Sequence, residues 1–247
     1  EIFMSPSTTA GNSAIKVMPS SSSVNTPAFW ERLWLTSGIQ FAVLLVVTCV
    51  VYGAQPGVGL PADAVAAFYT GDRTRILIAA VFAGLNILNL MWFAAALRTT
   101  LADAGQDGWG AAATAASAAF GGLYLLFVSI VAALAYSIAG SGNNALTSGL
   151  HDFGWALIVL SSFPRAMLIM AGSFGLWRGG LISNALFGAG VTAVVLGVLG
   201  GTTWLSGGFW APDGAYTRFI FPIACLGWIV VVSRVLLSRK PAARTAW

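Results

Sequence analysis

Arg165 is the strongest candidate for a functional residue, because it lies about 12 residues, or about 18 Å, into a predicted membrane helix. An arginine near the centre of a membrane costs about 2.5–3.5 kcal/mol on insertion scales. We therefore expect its side chain to face the bundle interior and to be hydrogen-bonded. Pro164 has no N–H, which frees the carbonyl of Leu160 as an acceptor for the guanidinium.

Four other polar residues are predicted at a similar depth. Ser161 and Ser162 lie one turn before Arg165, and Asn86 and Asn89 are three residues apart in another apolar run. The sequence predicts an interior polar site formed by Asn86, Asn89, Ser161, Ser162 and Arg165. In the alternative, Arg165 extends to the cytoplasmic interface and the two amides bind neighbouring helices.

A second set of polar residues is predicted at the outer ends of the apolar runs. His151 and Asp152 begin the fourth run, where an aspartate commonly caps a helix by accepting hydrogen bonds from its free N–H groups. A metal-binding or acid–base role for this pair is the alternative, and it would make the protein a membrane enzyme. The outer-face candidates are Asp72, Arg73, Arg75, His151, Asp152, Asp213 and Arg218.

Most enzyme classes lack their required residues in this sequence. The chain has one histidine and two cysteines, Cys49 and Cys225, both in apolar runs, which excludes a multi-histidine metal centre and a disulfide framework. Every Asp and Glu falls outside the predicted hydrocarbon core, which argues against a proton-coupled pump. We predict no catalytic residue, no metal site and no cofactor, although a bound lipid fits this composition.

The composition indicates a membrane protein. Of the 247 residues, 57% are hydrophobic and 8% are charged, whereas soluble domains carry about 25% charged residues. So few charges cannot cover the surface of a water-soluble protein of this size. A soluble enzyme, a nucleic-acid-binding domain and a disordered chain are therefore excluded.

Six apolar runs are the elements that must position the polar residues. Each run is long enough for a helix that crosses a hydrocarbon core, which takes about 20 residues. None shows the alternation of apolar and polar residues that a membrane β-strand has. The sequence therefore predicts an all-α, polytopic bundle of six transmembrane helices over residues 35–237. The runs lie near 35–54, 76–97, 112–138, 151–176, 181–205 and 216–237.

The distribution of Lys and Arg predicts the orientation of the bundle. With the N-terminus inside, eight basic residues fall on the cytoplasmic side and three on the outer side, and the 140–150 loop has none. We predict a multi-pass protein of the bacterial plasma membrane with both termini in the cytoplasm. The cytoplasmic residues are Lys16, Arg32, Arg98, Arg178, Arg234, Arg239, Lys240 and Arg244, and the outer ones are Arg73, Arg75 and Arg218.

Two further features suggest protein partners. Residues 1–34 are rich in Ser and Thr and end in an aromatic belt, so we expect them to dock onto partner membrane subunits, and residues 238–247 form a basic tail. Gly197 and Gly201 form a Gly-x-x-x-Gly motif, which suits either packing within the bundle or a homodimer.

The order of these features resembles an actinobacterial-style family of small six-helix bacterial membrane proteins of unknown function. The resemblance covers about residues 35–240 and is carried by the segment 74–98 and by the junction 175–182 between the fourth and fifth runs. Ser183 and Asn184 replace the Pro-Arg pair expected there, and the N-terminal tail is longer. The resemblance implies a six-helix fold and no activity.

Three functions remain open from the sequence. The first is an accessory or scaffold subunit of a membrane complex, without catalytic machinery. The alternative is a transporter of a small molecule or lipid that uses the polar site around Arg165. A membrane enzyme with an outer-face site at His151 and Asp152 is the third. A polar-lined cavity at mid-membrane depth favours the transporter, and a tight core with an apolar outer groove favours the subunit.

Overall fold

The computed structural model describes residues 33–205 and 207–238, and every regular element in these ranges is a helix. The predicted all-α class is therefore confirmed for the described residues. The α-helices are α1 Ser37–Tyr52, α2 Ala62–Gly71, α3 Arg73–Asp103, α4 Asp107–Ala133, α5 Asn144–Leu160, α6 Ser162–Arg178, α7 Asn184–Gly200 and α8 Phe221–Leu237. A π-helical turn, Leu134–Ile138, and a 3-10 turn, Ala139–Ser141, continue α4, and a second π turn, Tyr216–Ile220, precedes α8.

The two predicted tails fall almost entirely outside the described residues. Of the polar tail predicted over residues 1–34, the structure describes residues 33 and 34, and of the basic tail predicted over 238–247 it describes residue 238. The docking role of the first tail, and the sidedness inferred from the basic residues in both, stay predictions.

Four helical stretches are long and apolar enough to cross a membrane. They are Arg73–Asp103, Asp107–Ser141, Asn144–Arg178 and Tyr216–Leu237. The helices of the first and fifth apolar runs, α1 and α7, have 16 and 17 residues, fewer than the about 20 of a full crossing. The described residues therefore contain four candidate spans, and the count of six stays a prediction.

Helix α2 lies between the first two apolar runs and belongs to none of the six predicted helices. Its ten residues are too few for a membrane span. The helix is favoured by its abundant Ala and by Asp63 in the first turn, where a carboxylate stabilises a helix. Val65 and Tyr69 are buried and pack near Ile76 and Leu134 in a small apolar cluster. Tertiary packing thus supports a helix that would be marginal alone.

The fourth apolar run starts earlier than predicted and contains a break. The side chain of Asn143 caps α5 by accepting a hydrogen bond from the N–H of Leu146 at 3.1 Å. The predicted cap at Asp152 is therefore wrong, since this residue lies inside α5, too far along to reach the free N–H groups of the first turn. Ser161 separates α5 from α6, three residues before Pro164.

Two clusters of buried apolar side chains fill the bundle. The larger joins the second half of α3 to α6 and α8, with Phe93, Leu97, Leu168 and Ile229 all buried. The smaller joins α2, the start of α3 and the end of α4 around Tyr69. The space between the two clusters is where the candidate site lies.

Glycines on α7 allow close contact with α6 and α8. A Cβ built on Gly197 would lie 2.8 Å from the Cβ of Ala166 and 2.9 Å from the ring of Phe221, closer than carbon atoms pack. A Cβ on Gly201 would meet the ring of Phe163. Both residues of the Gly-x-x-x-Gly motif thus pack inside their own chain, and the homodimer through them stays a prediction.

We expect Gly197→Ala to lower the free energy of unfolding by about 1–3 kcal/mol, because the added methyl overpacks the contact with Ala166. The matched control is Gly188→Ala on the same helix, where nothing lies within 4 Å of the new Cβ. The control should be neutral or stabilising by up to about 1 kcal/mol through helix propensity. Unfolding in SDS measures both variants, and equal stabilities would contradict this packing.

Candidate functional site

A cavity of about 470 Å³ lies between α1, α3, α4, α5 and the start of α8. Its volume is within the range of about 300–1,000 Å³ typical of small-molecule sites. Cys49, Ala54 and Phe219 are lining residues that are exposed, and all three lie where α1 ends and α8 begins, so we place the mouth there. The apolar walls include Leu45, Ala80, Ala83, Leu123, Tyr124 and Val128.

Arg165 closes the inner end of the cavity and is 9% exposed. Its Nε donates to the carbonyl of Ser161 at 3.1 Å, and its Nη2 donates to the carbonyl of Ile158 at 3.0 Å. Nη2 also donates to the hydroxyls of Ser161 at 2.9 Å and Ser162 at 3.2 Å. The guanidinium therefore folds back onto the break between α5 and α6, and it uses these carbonyls rather than that of Leu160.

The positive charge of Arg165 has aromatic neighbours but no acidic one in the described part of the chain. The guanidinium carbon lies 4.6 Å from the ring centre of Phe221 and 5.5 Å from that of Phe120. Aromatic faces attract a cation without neutralising it. The ion pair found among the described residues joins Arg75 to Asp72 and leaves Arg165 out.

The structure does not bring the two asparagines to Arg165. Asn86 is fully buried, and neither atom of its amide has a hydrogen-bond partner among the described residues. Asn89 donates to the carbonyl of Leu85 at 3.3 Å, within its own helix. The predicted interior site thus divides into a joined group, Ser161, Ser162 and Arg165, and two separate amides on α3.

The mouth loop, residues 53–61, connects α1 to α2 beside the cavity opening. Gly53 and Gly59 have φ angles of +80° and +70°, a backbone conformation that residues with a Cβ rarely adopt. The N–H of Gly59 donates to the Asp152 carboxylate at 3.3 Å. Arg75 lies against Gly53, so residues from both α3 and α5 contact this loop.

His151 binds the mouth loop through its imidazole. Its Nε2 lies 3.2 Å from the carbonyl oxygen of Pro56 and 3.3 Å from that of Gly57. Because carbonyls only accept, Nε2 carries the hydrogen, and Nδ1 accepts from the Tyr69 hydroxyl at 3.0 Å. Burial raises the pKa of Tyr69 to about 12, so this phenol keeps its proton at neutral pH. With both ring nitrogens hydrogen-bonded, His151 positions the loop.

Arg218 reaches the same loop from the other side of the mouth. Its Nε donates to the carbonyl of Asp213 at 2.6 Å and its Nη2 to the carbonyl of Gln55 at 3.1 Å. Its guanidinium lies 5.0 Å from the ring centre of Trp155, whose indole N–H donates to the carbonyl of Pro56 at 3.0 Å. Besides Arg75, four of the outer-face candidates therefore lie against this loop: His151, Asp152, Arg218 and Asp213, whose carboxylate a Cβ on Gly57 would meet.

The remaining outer-face candidates lie at the start of α3. Arg75 pairs with Asp72 at 2.6 Å, and both side chains are about two-fifths exposed. The Arg73 guanidinium lies 5.2 Å from the ring centre of Tyr136. Exposed ion pairs of this kind contribute about 0–1 kcal/mol, so we assign this group to the helix start rather than to a site.

Aromatic residues are the part of the site that the sequence reading missed. Phe120 and Phe221 face Arg165, Trp155 lies beneath Arg218, and Tyr69 binds His151. In a chain with 12% aromatic residues, such a side chain in an apolar run looks the same whether it fills a core or lines a site.

We expect His151→Ala to loosen the mouth loop. The substitution leaves the Gly57 carbonyl and the Tyr69 hydroxyl without their partner, at about 1–3 kcal/mol for each buried group that stays unsatisfied, while the Pro56 carbonyl keeps its hydrogen bond from Trp155. Hydrogen exchange of residues 53–61 should accelerate, and the unfolding temperature should fall. Tyr69→Phe, which removes a single hydroxyl, is the control and should have a smaller effect. Unchanged exchange in His151→Ala would rule out this role.

No metal centre is evident in the described ranges, where no three His, Cys, Asp or Glu side chains come together. Comparison with known proteins adds no assignment: no protein-family model, no curated protein and no solved structure matches the chain.

Proposed function

We propose that the protein is a multi-pass membrane protein that binds a small molecule or lipid in the cavity and transports it. The cavity carries this proposal, because it runs from a mouth at one end of the bundle to a buried guanidinium. Arg165 lies 14 residues beyond His151, or about 21 Å along the helices. Intramembrane charges that line a cavity are typical of substrate pathways.

The closed end of the cavity also supports a transport role. Beyond Arg165, the larger apolar cluster fills the bundle with buried side chains such as Leu97 and Ile169. A central site that is open toward one side and sealed toward the other is one of the two states that alternating access requires. Pro164 lies beside the binding group and lacks the N–H that would bond the Leu160 carbonyl, so it offers a point at which the helix pair α5 and α6 can bend.

The experiment is recovery of the bound molecule from purified protein. Ala80→Phe places a ring in the cavity wall, whereas Ala95→Phe places the same ring on an exposed position of the same helix. Native mass spectrometry should find the molecule on the wild type and on Ala95→Phe, with at least tenfold less on Ala80→Phe. The recovered molecule is then offered to proteoliposomes, where the wild type should transport it. Equal recovery from all three proteins would refute the proposal.

We also propose the orientation that the charge distribution predicts, with the 140–150 loop outside and both termini in the cytoplasm. On a Cys49→Ala, Cys225→Ala background, a membrane-impermeant maleimide should label Ser141→Cys in intact spheroplasts. Asp107→Cys, exposed at the other end of α4, should be labelled after lysis alone. The reverse pattern would invert the topology.

An accessory-subunit role is the second candidate, and one surface feature favours it. A shallow hollow between α1 and α3 is lined by Gln40 and Asn89 among apolar residues such as Val43 and Val47. Amide side chains on a lipid-facing surface commonly hydrogen-bond a neighbouring helix. If this role holds, deleting residues 1–27 or introducing Asn89→Leu should reduce the recovery of a partner subunit with the purified chain.

A further inference from the structure

We infer that the molecule bound in the cavity is a single-chain amphiphile with an anionic head group, and that Arg165 binds the head. This inference rests on the proposed function, because both place the ligand in the same cavity. Beyond the proposed function, we specify the charge of the ligand, its shape and the direction in which it lies in the cavity.

The hydrogen bonds of Arg165 leave one end of the guanidinium available. Nε and Nη2 donate to Ser161, Ser162 and Ile158, and these bonds fix the plane of the group. Nη1 has no hydrogen-bond partner among the described residues, and the side chain lines the cavity. A carboxylate or phosphate oxygen there would form a charge-assisted hydrogen bond, which is stronger than a neutral one.

The charge balance calls for an anion. The described ranges contain six aspartates, and none of them pairs with Arg165. A buried cation is costly unless it is paired, and Phe221 and Phe120 provide an attraction that leaves the net charge in place. An anionic ligand would supply the missing countercharge in a low-dielectric site, where the attraction is strong.

The walls of the cavity specify the rest of the ligand. Between Arg165 and the mouth they are formed mainly by apolar side chains, including Leu45, Ala83, Leu123 and Val128. A small hydrophilic anion would leave these walls without a partner, whereas an acyl chain would bury them. The head therefore lies at the inner end and the chain extends toward the mouth.

Arg218 provides the competing position for the head. It lines the mouth, but its Nε and Nη2 already hold the carbonyls of Asp213 and Gln55, and its guanidinium covers Trp155. The variants Arg165→Gln and Arg218→Gln thus distinguish a head group bound at the inner end from a head group bound at the mouth.

The test measures equilibrium binding of four oleoyl compounds to the full chain in a mild detergent. They are oleate, oleoyl lysophosphatidate, uncharged monoolein and cationic oleylamine. The two anions represent a free fatty acid and a lipid head group, and the tighter of them identifies the source of the anion. We expect at least one anion to bind about 10- to 100-fold more tightly than monoolein, the range of a charge-assisted hydrogen bond. Arg165→Gln should remove this preference, and Arg218→Gln should retain most of it.

The outcomes separate this inference from the function on which it rests. If monoolein binds as tightly as the anions, or if Arg218→Gln alone removes the preference, the inference is wrong while a cavity ligand remains. If no compound binds the wild type in a manner sensitive to Ala80→Phe, the inference is wrong, and the recovery of a bound molecule from the wild type and Ala80→Phe decides the proposed function separately. The comparison of the four ligands uses the wild type, so it decides the question even where a variant does not fold.

Discussion

Arg165→Met is expected to abolish ligand binding and transport while leaving the ligand-free protein at least as stable as the wild type. The arginine is buried without an acidic partner in the described part of the chain, so its replacement removes an uncompensated charge. Replacing buried ionic groups with apolar side chains is often neutral or stabilising by about 1–4 kcal/mol. A residue kept for structure alone would show the opposite result, a loss of stability.

The conservative variant Arg165→Lys separates the effect of the positive charge from that of the guanidinium geometry. Lysine retains the charge but lacks the planar, multidentate donor geometry that contacts Ser161, Ser162 and the ligand at once. We expect weakened binding in Arg165→Lys and none in Arg165→Met. Unfolding in SDS and uptake into proteoliposomes are the measurements. Normal uptake by Arg165→Met would contradict a role for the guanidinium.

Trp228→Ala is expected to cause the largest loss of stability, about 3–5 kcal/mol, as for other large-to-small core substitutions. The ring lies edge-to-face with Phe93 at a centroid distance of 6.3 Å, and the indole N–H donates to the hydroxyl of Ser173 at 2.9 Å. It also fills the space over Gly172, so its removal opens a void between α6 and α8.

Trp204→Ala is the matched control, because this tryptophan is 42% exposed and its N–H donates to the carbonyl of Gly201, three residues away. We expect a change of less than about 1 kcal/mol there. Unfolding in SDS compares the two variants. A Trp228→Ala protein as stable as Trp204→Ala would show that α6 and α8 do not pack as described.

The neighbours of Arg165 were predictable only where they lie on its own helix pair. Ser161 and Ser162 precede it by four and three residues, and helical spacing places such residues together. Asn86 and Asn89 have the right depth, but depth does not determine how α3 is rotated about its axis. That rotation follows from the packing of Phe93 and Leu97, which the sequence alone does not specify.

The outer residues show the same limit. His151 and Asp152 lie far from Asp213 and Arg218 in the sequence, and all four lie against a loop with no polar motif. Every residue has a backbone carbonyl, so a side chain that binds loop carbonyls does not require particular residue types in the loop, and the sequence does not reveal the contact. The apolar runs, in contrast, located four candidate spans correctly, because the length and hydropathy of a span are properties of the sequence itself.

A structure of the purified protein in a lipid nanodisc would show whether Arg165 holds a ligand in the cavity. We expect a continuous, elongated density from the mouth near Phe219 to the inner end, finishing within about 2.7–3.2 Å of Arg165 Nη1. A cavity filled by protein side chains, or an Arg165 guanidinium facing the surrounding acyl chains, would contradict this expectation.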